Sequence, residues 1–299
     1  MKNIDEVLNL KFYSGVDSYS DGDMEEDLLR VVRECEDYED FLKGESDWTF
    51  LYHLSPIREN LLDWYEFRRE GTLLEIGSGC GALTGLFCSK VRHVTGIDLS
   101  KRRSLINAHK NKDCDNLEIY VGNFVDIALD EKFDYVTLIG VLEYSCYYLD
   151  SEDPFGEMIR RAKAFLKPGG TLIIAIENKY GLKYWAGAPE DHTGLAFEGI
   201  TGYHGTDRVR TFSRNGIERL IKGNGFSVTE FYYPLPDYKL PDRVYSEKNL
   251  PGPGAFGGVE VAYDRERYGL FDEALAFDEI CKDGLFTQFA NSFLVFCKV

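Results

Sequence analysis

The first residues whose spacing suggests chemistry are Glu75-Ile76-Gly77-Ser78-Gly79-Cys80-Gly81. Glycines in a turn that opens a helix let the backbone approach a ligand, and the helix N-terminus offers it unpaired N–H groups. Asp98 follows 21 residues after Gly77. An acid at that place can accept hydrogen bonds from both hydroxyls of a ribose. Gly77, Gly79 and Ala82 also satisfy the spacing G-x-G-x-x-G/A. On its own, then, the turn leaves a nicotinamide dinucleotide open beside another adenosine-containing cofactor.

A second constellation starts at Glu177-Asn178-Lys179-Tyr180-Gly181 and continues through LKYWAGAPEDHTG (182–194). One imidazole, carboxylates and aromatic rings crowd into it, just past an apolar segment that reads as a strand. Ligands gather at the carboxyl ends of strands in doubly wound sheets. His192 is the best candidate base, because an unperturbed imidazole titrates near neutral pH. Glu177 and Asp191 are second candidates, with solvated or capping carboxylates as the plainer reading. Tyr184 and Trp185 could stack on a sugar face or fill core. Arg208, in GYHGTDRVRTFS, could hold an anionic group or lie on the surface.

The elements that must position these groups are legible as short apolar runs: TLLEIG (72–77), HVTGIDL (93–99), LEIYVG (117–122), FDYVTLIGV (133–141) and TLIIAIE (171–177), with FSVTEFYY (226–233) and NSFLVFCKV (291–299) further on. Helical stretches such as 155–166 separate them. Val-, Ile- and Leu-rich strands alternating with helices read as βαβ units around a parallel sheet. Upstream, 25–43 carries one apolar helical face, and a second helix is expected from Ser55 to about Phe67 with Ser55 as cap and Pro56 at its first position. A loop-rich stretch fills 234–290, with a helical segment at about 270–282.

Composition narrows the class. Of 299 residues, 44% are apolar and 28% charged, which excludes a fibrous or wholly disordered chain. No apolar run approaches membrane-span length, so no membrane span is expected. MKNIDEVLNL lacks a signal-peptide core, and the expected location is cytoplasmic. The net charge of −17 repels phosphate backbones, so nucleic acid is not an expected partner. Residues 1–70 hold 19 acidic and 8 basic side chains, a net of −11. Seven cysteines without a C-x-x-C pair fit reduced thiols, and the five histidines show no metal-ligand spacing, so no metal is expected.

The ordered set LLEIGSGCG, GIDLS, GNF, FDYVTLIGVLEY and FLKPGGTLIIAIEN resembles class I S-adenosylmethionine-dependent methyltransferases over 72–178, and more weakly through 233 and in the last strand. The resemblance implies an α/β, Rossmann-like fold: a seven-stranded, mostly parallel sheet with its last strand antiparallel. A helical N-terminal extension or lid (1–69) would precede the domain (70–299), and 234–290 would be an insertion between its last two strands. It implies S-adenosyl-L-methionine as cofactor, with Glu75, Gly77, Gly79 and Gly81 at the methionine and backbone contacts. Asp98 would bind the ribose and Leu99 the adenine. Asn123 and Phe124 would also lie at the adenine, with Asn standing where relatives often have Asp. Gly140 and Val141 would lie beside the methyl group. The segments IENKYGLKYWAGAPEDHTG, YHLSPIREN and FYYPLPDYKLPDRVYS further resemble methyltransferase modules of bacterial surface-polysaccharide biosynthesis. The reading that follows is methyl transfer to a hydroxyl on a small-molecule or glycan acceptor. A small-molecule N- or O-methyltransferase of secondary metabolism and an NAD(P)-dependent oxidoreductase are the alternatives. The sequence sets neither the acceptor nor the oligomeric state.

Overall fold

The computed structural model describes residues 4–17, 22–35, 37–45, 47–204, 208–258 and 267–299. Parts of the expected N-terminal extension, residues 205–207 of the GYHGTDRVRTFS segment and residues 259–266 of the expected insertion lie outside the described residues.

Nine strands, not the expected seven, are found among the described residues: β1 (Leu8–Asn9), β2 (Thr72–Ile76), β3 (His93–Asp98), β4 (Leu117–Val121), β5 (Phe133–Ile139), β6 (Leu166–Glu177), β7 (Val228–Leu235), β8 (Arg243–Ser246) and β9 (Ser292–Lys298). Hydrogen-bonded neighbours follow the order β1-β4-β3-β2-β5-β6-β9-β7-β8. The additions, β1 and β8, stand at the two ends of that order, and strands of two and four residues are too short to show a period. The last strand, β9, is antiparallel to β7, as expected.

The chain divides into two compact units, Met1–Leu138 with Arg161–Leu172, and Ile139–Arg160 with Ile173–Val299. In the first, β2 is buried along its whole length and runs parallel to β3 and β5. Register places Glu75 beside Gly96 and Thr137. The helix Asp23–Glu34 buries Leu28, Leu29 and Val32 in one cluster with Phe50, Leu54, Cys80 and Ile106. Its Glu25 pairs with Arg103 at 2.7 Å.

Two helices differ from expectation. The 25–43 helix is broken into Asp23–Glu34 and Tyr38–Leu42, because the Asp37 side chain accepts from the Asp40 N–H and starts a new helix. After Ser55, whose side chain caps at Ile57 N–H as expected, only a 3₁₀ helix Pro56–Leu61 forms. Beyond it, the Trp64 indole N–H donates to the Leu61 carbonyl at 3.0 Å.

In the second unit, Ile173, Ile174, Ala175 and Ile176 of β6 are fully buried, as are Phe293, Leu294 and Val295 of β9. The 234–290 stretch has an aromatic core of its own. Phe256 stacks on Phe277 with ring centroids 4.2 Å apart, and Phe286 packs on both.

Candidate active site

The glycine turn belongs to the first unit. Gly77 and Gly79 have φ of 71° and 53°, where L side chains are strained. The N–H groups of Gly77 and Ser78 donate to the Ile97 carbonyl at 2.8 and 3.0 Å, tying the turn to the end of β3. Asp98 completes the lock. Its Oδ2 accepts from Gly79 N–H at 2.8 Å and its Oδ1 from Ser100 N–H at 2.9 Å. Each carboxylate oxygen keeps lone-pair capacity for one further donor, as a ribose diol requires. Burial raises the Asp98 carboxyl above the usual range, against the pull of those N–H bonds and of Arg103. A Cβ built on Gly79 meets nothing within 4 Å, so the backbone there borders open space that a ligand can approach. The turn therefore fits an adenosine-bearing cofactor.

Other expected cofactor residues have protein partners that explain their type. Glu75 Oε2 accepts from the Thr84 hydroxyl at 2.6 Å, and Thr84 in turn accepts from Asn107 at 3.0 Å. Burial pushes the Glu75 carboxyl up to about 8. Gly81 has no room for a side chain, since a Cβ would stand 2.4 Å from Asn107 Oδ1. Asn123 Oδ1 accepts from Val125 N–H at 3.2 Å and caps a short turn, and Phe124 packs near Phe165. Leu99 is half-buried.

Gly140 and Val141 belong to the second unit. Gly140 has φ 68°, and a Cβ there would stand 3.0 Å from the Tyr238 hydroxyl. Val141 is half-buried. The same unit gathers the three expected catalytic residues into one buried polar cluster. His192 Nδ1 lies 2.9 Å from Glu190 Oε1, while its Nε2 lies 3.7 Å from Glu143 Oε1 and 3.9 Å from Glu177 Oε2. Glu190 Oε2 also accepts from the N–H groups of His192 and Thr193, at 2.8 and 2.7 Å. Tyr203 donates its hydroxyl to Glu190 Oε1 at 3.1 Å. The Tyr144 ring meets the imidazole edge-on.

Asp191 is engaged differently. Lys183 and Lys239 pair with it at 3.0 and 2.7 Å, and the Tyr184 hydroxyl donates to its Oδ2. Lys239 also reaches Glu177 Oε1 at 2.8 Å, where the Tyr238 hydroxyl donates at 3.2 Å. Burial alone would lower the His192 imidazole, but Glu177, Glu143 and Glu190 outweigh it and hold it well above its usual value. Burial alone would raise the Asp191 carboxyl, but Lys183 and Lys239 hold it well below the carboxylate range. Burial raises Glu143.

Tyr184, a stacking candidate from its sequence position, is 2% exposed and bonded inward, whereas Trp185 is 40% exposed. Arg208 is exposed, with its guanidinium 5.8 Å from the Tyr147 ring centre. Sequence reasoning missed Glu190 and Lys239. For Glu190 a signal existed: an acid two residues before a histidine can cap that turn and hold the ring at once. Lys239 lies 47 residues after His192 in sequence, with no spacing to betray it.

A glycine turn locked to a strand-end carboxylate, on a mostly parallel sheet closed by an antiparallel strand, defines an α/β protein that binds an adenosine cofactor. The sequence profile described as "Methyltransferase domain" matches residues 49–230, more than half of the chain, which therefore belongs to this S-adenosylmethionine-dependent methyltransferase family. The chain is similar to an uncharacterized methyltransferase of Staphylococcus carnosus, 34% identical over 106 residues, covering 35% of this chain and 46% of that protein. It is 28% identical over 140 residues to a ubiquinone biosynthesis O-methyltransferase of Stutzerimonas stutzeri, covering 45% of this chain and 56% of that one. The chain thus spans about half the length of these curated relatives. A Haemonchus contortus phosphoethanolamine N-methyltransferase 1 structure shares the fold at 13% identity and a TM-score of 0.50, covering 91% of this chain and 50% of that one. The oxidoreductase alternative finds no support in these matches.

Proposed function

We propose that this chain transfers the methyl group of S-adenosylmethionine to a hydroxyl oxygen of a sugar or glycan intermediate, in the chemistry of surface-polysaccharide assembly. Asp98 and the Gly77–Gly79 turn would hold the cofactor, which when bound supplies a methyl group on a sulfonium leaving group. The observation that carries the oxygen acceptor is the buried group of Glu143, Glu177 and His192, in which Glu143 Oε2 and Glu177 Oε2 have no hydrogen-bond partner. A hydroxyl must lose its proton as the O–CH₃ bond forms, and an orphaned carboxylate oxygen of this group can receive that proton. His192 and Glu177 are the proposed catalytic residues. Asp191, saturated by two lysines and a tyrosine, is a positioning residue for Lys239 and through it for Glu177. Exposed Trp185 supports a sugar face as partner, since an aromatic ring covers the apolar side of a pyranose.

The experiment is transfer of radiolabelled methyl to a panel of sugar nucleotides, glycolipid intermediates, amines and phenols. Label on a sugar hydroxyl is expected. Label only on amines or phenols would replace the glycan reading with the small-molecule alternative.

A further inference from the structure

The Glu143–Glu177–His192 group has a property that proton transfer does not use. The side chains of Glu143 and Glu177 are 1% and 0% exposed, and Oε2 of each is orphaned. Buried polar atoms are nearly always partnered, so two orphaned carboxylate oxygens at one place point to a ligand. His192 Nε2 faces both residues at 3.7 and 3.9 Å, too far for hydrogen bonds. One donor atom from each of the three residues lies within 4.8 Å of the others.

Glu190 gives this trio its character. Standing 2.9 Å from Nδ1, it orients the ring so that Nε2 faces the carboxylates of Glu143 and Glu177. A carboxylate behind an imidazole is how proteins orient a metal-ligating histidine. Charge points the same way. Lys183 and Lys239 are matched by Asp191 and Asp237. Lys239 also pairs with Glu177 Oε1, which leaves Glu143, Glu190 and the Oε2 end of Glu177 around a single imidazole. A buried carboxylate in excess is neutralised by a proton or by a bound cation, and a cation would also partner the orphaned oxygens.

We propose that Glu143, Glu177 and His192 Nε2 bind a divalent transition-metal cation, with Glu190 as the positioning carboxylate behind the histidine. One imidazole and two carboxylates suit Mn²⁺ or Zn²⁺ better than the all-oxygen preference of Ca²⁺. Ligand bonds of about 2.0–2.2 Å require the imidazole and each carboxylate to close by a few tenths of an ångström and the two carboxylates to draw together. Three protein ligands leave a position for an oxygen of the acceptor, the arrangement of a catalytic rather than a structural site. That service to a hydroxyl rests on the O-methylation reading, whereas the cation site does not.

The test is titration of chelator-treated protein with Co²⁺ alone, followed by visible absorbance and calorimetry, without cofactor or acceptor. The wild type is expected to bind one equivalent with ligand-field bands of a nitrogen–oxygen site. Glu143→Gln and Glu177→Gln should weaken it by about 100-fold or more, and Glu190→Gln by about 10- to 100-fold. Folding of each variant is checked by circular dichroism. No uptake by the wild type, or uptake that the folded variants leave unchanged, overturns the proposal. The wild-type result decides even if a variant fails to fold. A Co²⁺ site in a protein that methylates no hydroxyl would remove the acceptor reading and keep the cation.

Discussion

The glycine turn of the first unit and the charged cluster of the second are built on opposite plans. The turn is made of backbone: positive-φ glycines, two N–H groups on one carbonyl, and one carboxylate that accepts from residues 79 and 100. Its parts lie within 24 residues of sequence, from Gly77 to Ser100. The cluster is made of side chains from positions 143, 177, 183, 190, 191, 192, 203 and 239, and nearly every charge in it is set by a neighbour. A site of the first kind is specified by local geometry and serves a common cofactor. A site of the second kind depends on tertiary packing and can be retuned one side chain at a time.

The comparison can be broken in several ways. The largest effect concerns the frame of the first unit. Leu28 is fully buried in the cluster around Phe50 and Ile106, so Leu28→Ala should cost about 2–5 kcal/mol in urea unfolding. A change in turnover without loss of stability would make that helix a lid rather than core. Next, Asp98→Ala should weaken S-adenosylhomocysteine binding by about 100-fold or more in calorimetry, since charge-assisted bonds to the ribose and the lock on Gly79 go together. Binding of NAD in preference to S-adenosylhomocysteine would contradict the cofactor assignment. His192→Ala should lower turnover by about 100-fold with cofactor affinity nearly unchanged.

A further test lies in pH dependence. The Glu75 carboxyl is raised to about 8 in the folded protein from 4.5, so the folded state holds this proton more tightly than the unfolded state. Its contribution is full below pH 4.5 and is lost as pH rises to about 8. The steepest loss is about 1.4 kcal/mol per pH unit. Glu75→Gln should flatten that slope in thermal melts recorded across the window. An identical slope in both proteins would place the Glu75 carboxyl in the ordinary range.

The contrast also explains what the sequence made legible. β2 to β6 are runs of Val, Ile and Leu, and the turn between β2 and the next helix carries its glycines in fixed spacing, so both are readable in the sequence. β1 and β8 were not, being too short to show alternation. Of the helix expected from Ser55 to Phe67, only the 3₁₀ turn Pro56–Leu61 forms, and the Trp64 indole bond to the Leu61 carbonyl beyond it is a contact that propensity does not register. His192, Glu177 and Asp191 were each identifiable as types, but not their division of labour. That division rests on Glu190 beside the imidazole and on Lys239 arriving from a distant loop. Tyr184 is open in sequence to a stacking role on a sugar face, and Tyr203 and Tyr238 belong to the same cluster in the structure. All three are buried, with hydroxyls spent on Asp191, Glu190 and Glu177.

The most direct measurement is methyl transfer by the wild type, Asp98→Ala and His192→Ala as a function of S-adenosylmethionine concentration. If the turn binds cofactor and the cluster serves the acceptor, Asp98→Ala will show a raised KM for cofactor and recover most of its rate at saturation. His192→Ala will keep the wild-type KM for cofactor and stay slow at every concentration. Equal shifts of the same parameter in both variants would contradict the division of the molecule into a cofactor region and an acceptor region.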